Sequence, residues 1–183
     1  MDTDAIRWNE RWTDRPSAEP SPPDALVASG VDLTETGRAL DVACGLGGVA
    51  VWLAKRGFTV DAYDVSLVAI ESAKVLAADN GVTRRCNAEV ADLNNGLPSS
   101  AGDSYDVIAC QRFRDEALYG EMIDRLAPGG LLIITVLSVV DRHDQSSPYL
   151  ADPGELTKVF GDLDILYADE ADGHAQLVAR KPA

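Results

Sequence analysis

The chain has few cysteines, few histidines and no long apolar run. Its 183 residues include three cysteines, Cys44, Cys86 and Cys110, whose wide spacing suits neither a disulfide framework nor a zinc knuckle. We therefore expect free thiols. With His143 and His174 as the only histidines, we also expect no metal site. No apolar segment approaches the roughly 20 residues that span a bilayer, so a membrane protein is not expected.

Basic residues are scarce as well. Sixteen Lys and Arg against thirty Asp and Glu give a net charge of -14, a field that repels phosphate backbones and anionic membranes. We therefore expect neither a nucleic-acid nor a membrane partner. The N-terminal residues 1–12 contain acids and lack the apolar core of a secretory signal, which predicts a cytoplasmic protein. The length predicts one domain over residues 1–183.

A proline-rich connector at residues 16–23 separates a short segment from the rest of the chain and should be extended. Before it, residues 4–13 predict a helix with Ala5, Trp8 and Trp12 on one face. We interpret residues 1–23 as an N-terminal arm of the domain. The arm either closes over a pocket or only packs its tryptophans against the body.

Short apolar runs alternate with helical patterns from residue 38 onward, which is typical of repeated βαβ units around a parallel sheet. The apolar runs predict strands at residues 38–43, 58–63, 85–90, 105–110, 131–137, 164–167 and 175–180. Pro128-Gly129-Gly130 is the predicted turn before the fifth strand. The last two strands flank Asp172-Gly173, a hairpin signal, so the sheet should end with an antiparallel strand.

The intervening segments have helical patterns. They cover residues 49–56, the segment that follows Ser66, residues 115–126 and residues 153–160. Ser66 is a candidate N-cap for its helix, and Asn80-Gly81 is the predicted stop. The apolar residues expected together on one face of that helix are Leu67, Ile70, Ala73 and Ala77.

The strongest functional signal is the segment Asp41-Val42-Ala43-Cys44-Gly45-Leu46-Gly47-Gly48, where a strand passes into a helix. Doubly wound folds bind ligands at such places, and glycines let the backbone approach a bound molecule. Gly45-x-Gly47-x-x-Ala50 also matches the dinucleotide fingerprint, so the glycines do not decide the cofactor. A carboxylate at Asp41 suits an ammonium group and suits a pyrophosphate poorly, which favours S-adenosylmethionine (SAM) over NAD.

Two further carboxylates follow predicted strands. Asp64 can accept hydrogen bonds from both hydroxyls of a ribose. Asp92 can accept one from the amino group of adenine, and Leu93 offers the adenine ring an apolar contact. Alternatively, Asp41, Asp64 and Asp92 only cap helices or solvate loops.

These segments resemble class I SAM-dependent methyltransferases. DVACGLGG is similar to their first motif, YDVS to their second-strand motif, ADL to their adenine motif and APGGLLIITV to their fifth strand. WNERW, CQRFRDEALY and PYLADPGELTKVF resemble the small tellurite-resistance-like branch. The resemblance implies an α/β, Rossmann-like, doubly wound sheet of seven strands with an antiparallel C-terminal strand. The cofactor contacts that it implies are Asp41, Ala43, Gly45, Gly47, Asp64, Val65, Asp92, Leu93 and Cys110.

The methyl acceptor is expected to be a small molecule, such as a thiol or another small polar compound, because one domain leaves no room for a unit that recognises macromolecules. A metalloid oxyanion as the acceptor is implied by the resemblance alone. Arg112 and His143 are the candidate catalytic residues. Our hypothesis is that some of these and other basic residues form a local positive entrance for a small anionic or polar acceptor. The alternative is that all of them are ordinary surface charges paired with acids. The other basic residues of this hypothesis are Arg7, Arg11, Arg15, Arg114 and Arg142.

Two other functions are compatible with the motifs. An NAD-dependent oxidoreductase is favoured by Gly45-x-Gly47-x-x-Ala50 with Asp64, but no residues for hydride transfer can be located. A non-catalytic SAM-binding module is the other, because a fold does not establish turnover. Binding of nicotinamide or adenosyl ligands distinguishes the two.

Overall fold

The computed structural model describes residues 3–33, 36–144, 147 and 149–183. Within these ranges seven strands are present: β1 Arg38–Val42, β2 Thr59–Asp64, β3 Cys86–Val90, β4 Tyr105–Gln111, β5 Leu126–Leu137, β6 Asp164–Ala171 and β7 His174–Arg180. The α-helices of the described residues are α1 Thr3–Thr13, α2 Asp24–Ser29, α3 Gly48–Lys55, α4 Leu67–Asp79, α5 Glu116–Arg125 and α6 Glu155–Val159.

All seven strands form a single sheet in the order β3-β2-β1-β4-β5-β7-β6. Strands β1 to β5 are parallel, whereas β7 pairs antiparallel with β5 on one side and with β6 on the other. The predicted α/β, Rossmann-like sheet of seven strands with an antiparallel C-terminal strand is therefore confirmed. Asp172 and Gly173 both have positive φ, 52° and 76°, and form the turn between β6 and β7, as a tight hairpin requires.

Helices cover both faces of the sheet because its central strands are apolar on both sides. In β5, Leu132 and Ile134 belong to one core cluster, whereas Leu131 and Ile133 belong to the other. Helices α5 and α6 pack into the first cluster, and α2, α3 and α4 into the second. The run of buried residues in β5 matches a strand with both faces covered.

Helix α4 begins as predicted, but its buried face differs from the prediction. The Ser66 hydroxyl oxygen accepts the Ala69 N–H at 3.1 Å, which confirms the N-cap. Leu67, however, is 55% exposed, so its placement on the buried face is wrong. The buried residues of α4 are Ala69, Ile70, Ala73, Leu76 and Ala77. This face is centred near Ala73, and the 100° helical rotation per residue puts Leu67 to one side of it.

Two further features differ from the sequence prediction. Pro128-Gly129-Gly130 is not a turn before β5 but part of β5, where the register with β4 shifts between Tyr105 and Val107. The Gly129 N–H donates to the Lys181 carbonyl, and the Lys181 N–H donates to that of Gly130, so the bulge remains paired. Helix α2 was not predicted, because its six residues are too few for a periodic pattern.

Candidate active site

The cofactor candidates lie at the carboxyl ends of neighbouring strands. The turn after β1 has positive φ at Ala43 (55°), Gly45 (51°) and Gly47 (84°). A Cβ at Gly47 would come within 2.6 Å of the Ala73 Cβ and 2.9 Å of its Cα. Only glycine therefore allows this turn to lie so close to α4.

Asp41 is a buried acid with an unpaired oxygen. It is 2% exposed, and no hydrogen-bond partner for its Oδ2 is present among the described residues. Burial raises the pKa of Asp41 to about 8; the Ala50 N–H acts in the opposite direction, and the charge of Asp64 adds to the rise. A buried carboxylate without a cation is unfavourable, so this position is suited to a ligand that carries a positive charge.

Asp64 connects two turns of the candidate site. Its Oδ2 accepts the Gly45 N–H at 2.9 Å, and its Oδ1 accepts the Ser66 N–H at 2.9 Å. Burial raises the pKa of Asp64, although these backbone hydrogen bonds oppose the rise. Each carboxylate oxygen can accept a second hydrogen bond, which leaves capacity for ribose hydroxyls.

Asp92 and Leu93 follow β3. Asp92 Oδ1 accepts the Asn94 N–H at 3.1 Å, and its Oδ2 accepts the Asn95 side-chain amide at 2.7 Å. Asp92 therefore caps a short 3-10 turn at Leu93–Asn95, which was the alternative reading of this residue. Leu93 is buried in the core cluster beneath α5 and α6.

The remaining cofactor candidates differ in accessibility. Val65 and Ala43 are half-buried at the ends of β2 and β1. Cys110, near the end of β4, is fully buried, and its thiol donates to the Phe113 carbonyl at 3.4 Å. Burial raises the pKa of this thiol, so Cys110 is neither an accessible side chain nor a nucleophile.

Helix α1 contacts the loops that follow β1, β2 and β3. A ring atom of Trp12 lies 3.3 Å from the position of a Cβ on Gly45. The Asn9 side-chain oxygen accepts the Ser66 hydroxyl at 2.7 Å and the Val68 N–H at 3.3 Å. Asn94 donates its side-chain amide to Asp4 at 3.3 Å. Sequence reasoning placed Trp12 on the arm but missed Asn9, because no local pattern relates it to a residue 57 positions away.

The candidate acceptor side lies at the end of β4. Arg112 is exposed and has φ 59°, an uncommon backbone conformation for a residue other than glycine. Its N–H donates to the Thr135 carbonyl at 2.7 Å, which fixes the turn. His143 is exposed in the loop after β5. Among the described residues, Arg112 and His143 make no hydrogen bond or ion pair with each other.

Arg114 is not part of a positive entrance. Its guanidinium donates to both carboxylate oxygens of Glu155 at 2.8 and 2.7 Å and also pairs with Glu116. Only 15% of the Arg114 side chain is exposed. This pair connects the end of β4 to α6, so the alternative of ordinary ion pairing holds for Arg114.

The other basic candidates have separate places. Arg7 lies over the rings of Trp8 and Tyr149, with its carbon 5.6 and 5.4 Å from their centroids, and donates to the Tyr149 hydroxyl at 3.3 Å. Arg11 also lies over the Trp8 ring, with its guanidinium carbon 5.3 Å from the centroid. Arg15 is exposed, and the stem of Arg142 packs against the hairpin turn at Gly173.

Residues 3–33, 36–144, 147 and 149–183 contain neither a cluster of potential metal ligands nor a helix of membrane-spanning character. In these ranges, no group of three or more His, Cys, Asp or Glu residues is arranged to hold a metal ion. Among the helices of the same ranges, none has the length and apolar character needed to cross a membrane.

The curated proteins that the chain matches in sequence are named methyltransferases. Ribosomal protein L11 methyltransferase of Campylobacter fetus subsp. fetus (strain 82-40) is 28% identical over 149 residues, which are 78% of this chain and 46% of that protein. The chain spans half or less of the length of the curated relatives it matches.

Two solved structures have the same fold. TehB from Haemophilus influenzae superposes with a TM-score of 0.72 at 19% identity, over 86% of this chain and 61% of that one. Geranyl diphosphate C-methyltransferase from Streptomyces coelicolor A3(2), solved with Mg2+, geranyl diphosphate and S-adenosyl-L-homocysteine, gives a TM-score of 0.69 at 13% identity, over 98% of this chain and 96% of that one.

A family model described as "Methyltransferase domain" matches residues 39–130. This segment contains the glycine turn after β1, Asp64 and the Asp92 turn, which are among the motifs on which the resemblance to class I methyltransferases was based. That resemblance is confirmed. Since the model covers half of the chain, the chain belongs to the methyltransferase-domain family.

Proposed function

We propose that the chain is a SAM-dependent methyltransferase that acts on a small anionic or polar acceptor. The assignment of SAM as the cofactor rests on the buried, unpaired carboxylate oxygen of Asp41 beside the glycine turn. A carboxylate at this position attracts the ammonium group of SAM and repels the pyrophosphate of NAD. This contrast supports the methyltransferase over the oxidoreductase.

Successive residues along the chain are assigned to successive parts of SAM, from the amino-acid portion to the ribose. Asp41 receives the ammonium group, and Gly45 and Gly47 allow the amino-acid portion to approach the backbone. Each carboxylate oxygen of Asp64 accepts one backbone hydrogen bond. Each can accept a second hydrogen bond, from a ribose hydroxyl.

The adenine end involves the loops after β2 and β3. Val65 lies half-buried beside Asp64, where it offers the adenine ring an apolar surface. Asp92 accepts a hydrogen bond from the adenine amino group while its carboxylate also caps the 3-10 turn. Ala43, Leu93 and Cys110 contribute backbone or supporting contacts, because the side chains of Leu93 and Cys110 are buried in the core.

Bound SAM supplies a methyl group that a sulfonium sulfur activates toward a nucleophile. With SAM held by Asp41, Gly45 and Asp64, the acceptor would bond to the methyl carbon as the carbon–sulfur bond broke, and the electron pair would stay on sulfur. The protein's own contribution is mainly to hold the acceptor in line with that bond. A nucleophile that reacts as its anion needs no general base, whereas an amine or a hydroxyl loses its proton to a base or to water.

The acceptor class is supported by charge. Arg112 offers an exposed cation at the end of β4 in a chain of net charge -14, so it favours an anion at that point. The geranyl diphosphate C-methyltransferase with the same fold was solved with geranyl diphosphate, which is a small anion. The overall negative charge opposes a nucleic-acid acceptor. The L11 methyltransferase relative makes a protein acceptor the alternative to exclude.

The first test is calorimetric titration of the purified chain with SAM, S-adenosylhomocysteine (SAH) and NADH. We expect both adenosyl ligands to bind and NADH not to bind. Binding of NADH in place of SAH contradicts the cofactor assignment. Transfer of labelled methyl groups is then measured with small anions, their neutral counterparts and a protein extract. Transfer to the extract alone contradicts the acceptor class, and binding without any transfer supports a non-catalytic module.

A further inference from the structure

The indole of Trp12 lies against the glycine turn with its polar atom unpaired. One ring carbon is 3.3 Å from the position of a Cβ on Gly45, and the Nε1 atom is buried with no acceptor among the described residues. A buried N–H without an acceptor is rare and unfavourable. This donor is therefore expected to meet an acceptor that a ligand supplies.

Polar contacts hold the indole in this position. One turn before Trp12, Asn9 accepts hydrogen bonds from the Ser66 hydroxyl and the Val68 N–H at the start of α4. No residue of α1 is fully buried, so the helix is fastened by such contacts and not by a core of its own. An element with little buried apolar surface opens at low free-energy cost, which allows a ligand to enter beneath it.

Two buried polar atoms without a hydrogen-bond partner therefore lie near the glycine turn, one an acceptor and one a donor. Asp41 Oδ2 is an acceptor on the strand side, and Trp12 Nε1 is a donor on the side of α1. The amino-acid portion of an adenosyl cofactor carries one cationic and one anionic group. We propose that Trp12 is a cofactor-binding residue whose indole N–H donates to the carboxylate of that portion. This inference rests on the proposed function, because it requires an adenosyl ligand.

The test removes the N–H from the protein and the carboxylate from the ligand. Trp12→Phe keeps an aromatic ring against Gly45 but has no donor, and Trp52→Phe makes the same change on α3. Three ligands are titrated by calorimetry: SAH, decarboxylated SAM, which keeps the ammonium group, and methylthioadenosine, which lacks both charged groups.

We expect Trp12→Phe to weaken SAH binding about ten-fold, the effect of losing a hydrogen bond to a charged group. Binding of decarboxylated SAM and of methylthioadenosine should stay within about two-fold of the unmodified protein, and Trp52→Phe should change none of the three. Unchanged SAH binding in Trp12→Phe overturns the inference. An equal loss for all three ligands also overturns it, because it shows that the ring only packs.

Failure of the proposed function gives a different result, since the unmodified protein then binds no SAH at all. A second measurement uses fluorescence. The chain has three tryptophans, so Trp12 is the only one left in a Trp8→Phe/Trp52→Phe double variant. Its emission should change on addition of SAH, and constant emission at saturating SAH contradicts a direct contact.

Discussion

Asp64 fastens Gly45 to the start of α4: the Asp64 Oδ2 accepts the Gly45 N–H at 2.9 Å while the Oδ1 of the same carboxylate accepts the Ser66 N–H. The residue assigned to the ribose from the sequence also fixes the turn assigned to the amino-acid portion. The shape of this turn therefore exists before any ligand arrives, and preorganisation of that kind reduces the entropy cost of binding.

Asp41→Asn should stabilise the ligand-free protein at neutral pH while it weakens SAH binding. Because burial raises the pKa of Asp41 from 3.8 to about 8, the folded state holds a proton that the unfolded state releases. The stability from this group is present below pH 3.8 and is lost as the pH rises to about 8. The melting temperature of the variant should exceed that of the unmodified protein, by a margin that widens from pH 5 to 8 and then levels.

The same variant separates stability from binding. Loss of the carboxylate removes the partner of the ammonium group, so we expect SAH affinity to fall about ten-fold or more. For the unmodified protein, SAH affinity should rise between pH 6 and 8 as Asp41 ionises. A melting-temperature difference that does not depend on pH, together with unchanged SAH binding, contradicts the role of Asp41.

Gly47→Ala should destabilise the fold more than Gly81→Ala. Both glycines have positive φ, 84° and 70°, so each alanine incurs backbone strain of about 1 kcal/mol. At Gly47 the new Cβ also overlaps the Ala73 backbone, whereas at Gly81 it meets no atom within 4 Å. We expect urea denaturation to show an additional loss of roughly 1–3 kcal/mol for Gly47→Ala. Equal losses contradict the close approach of the turn to α4.

Glu155→Gln should weaken the connection between β4 and α6. Burial alone would raise the pKa of Glu155, but hydrogen bonds from Arg114, the Asp152 N–H and Tyr119 lower it overall. Its stabilisation is present above pH 4.5 and is lost as the pH falls through the lowered pKa. Chemical denaturation at pH 7 should show a loss of roughly 2 kcal/mol.

The pH dependence provides the control for this ion pair. The stability difference between Glu155→Gln and the unmodified protein should narrow as the pH falls below 4.5, where the unfolded state binds a proton, and should level off once the pH is below the lowered pKa of the folded state. A difference that stays constant down to pH 3 indicates that packing, and not charge, accounts for the loss. Thermal denaturation over this range distinguishes the two.

Arg112→Ala should impair use of an anionic acceptor without affecting the cofactor. The side chain is exposed at the end of β4, so we expect KM for the acceptor to rise about ten-fold while SAH affinity stays unchanged. Arg84→Ala removes an exposed charge from the loop before β3 and controls for net charge. A similar KM for both variants contradicts an acceptor contact by Arg112.

Much of the fold could be predicted because its signals are local. The apolar runs of β4 and β5 and the Asp172-Gly173 turn determine strands and a hairpin from adjacent residues alone. The Ser66 cap is equally local. By contrast, Leu67 was placed wrongly because the apolar spacing leaves the exact centre of the buried face open.

The sequence allowed the strand-end residues of the candidate site to be predicted, but not the helix α1 that packs over them. Asp41 lies near the end of β1 and Asp64 is the last residue of β2, and the parallel order brings them to one edge. The contact of Asn9 with Ser66 and that of Trp12 with Gly45 depend on how α1 docks, which tertiary packing determines. The pairing of Arg114 with Glu155 likewise joins residues 41 positions apart and has no local pattern.

The strand order has an evolutionary consequence. The three loops assigned to the cofactor follow β1, β2 and β3, whereas the candidate acceptor residues follow β4 and β5, on the other side of β1. Substitutions at residues 111–113 or in the loop after β5 therefore alter one half of the edge while Asp64 and Gly45 keep the other half intact. Such a division allows descendants of one ancestral gene to acquire new acceptors while the binding site for the methyl donor stays unchanged.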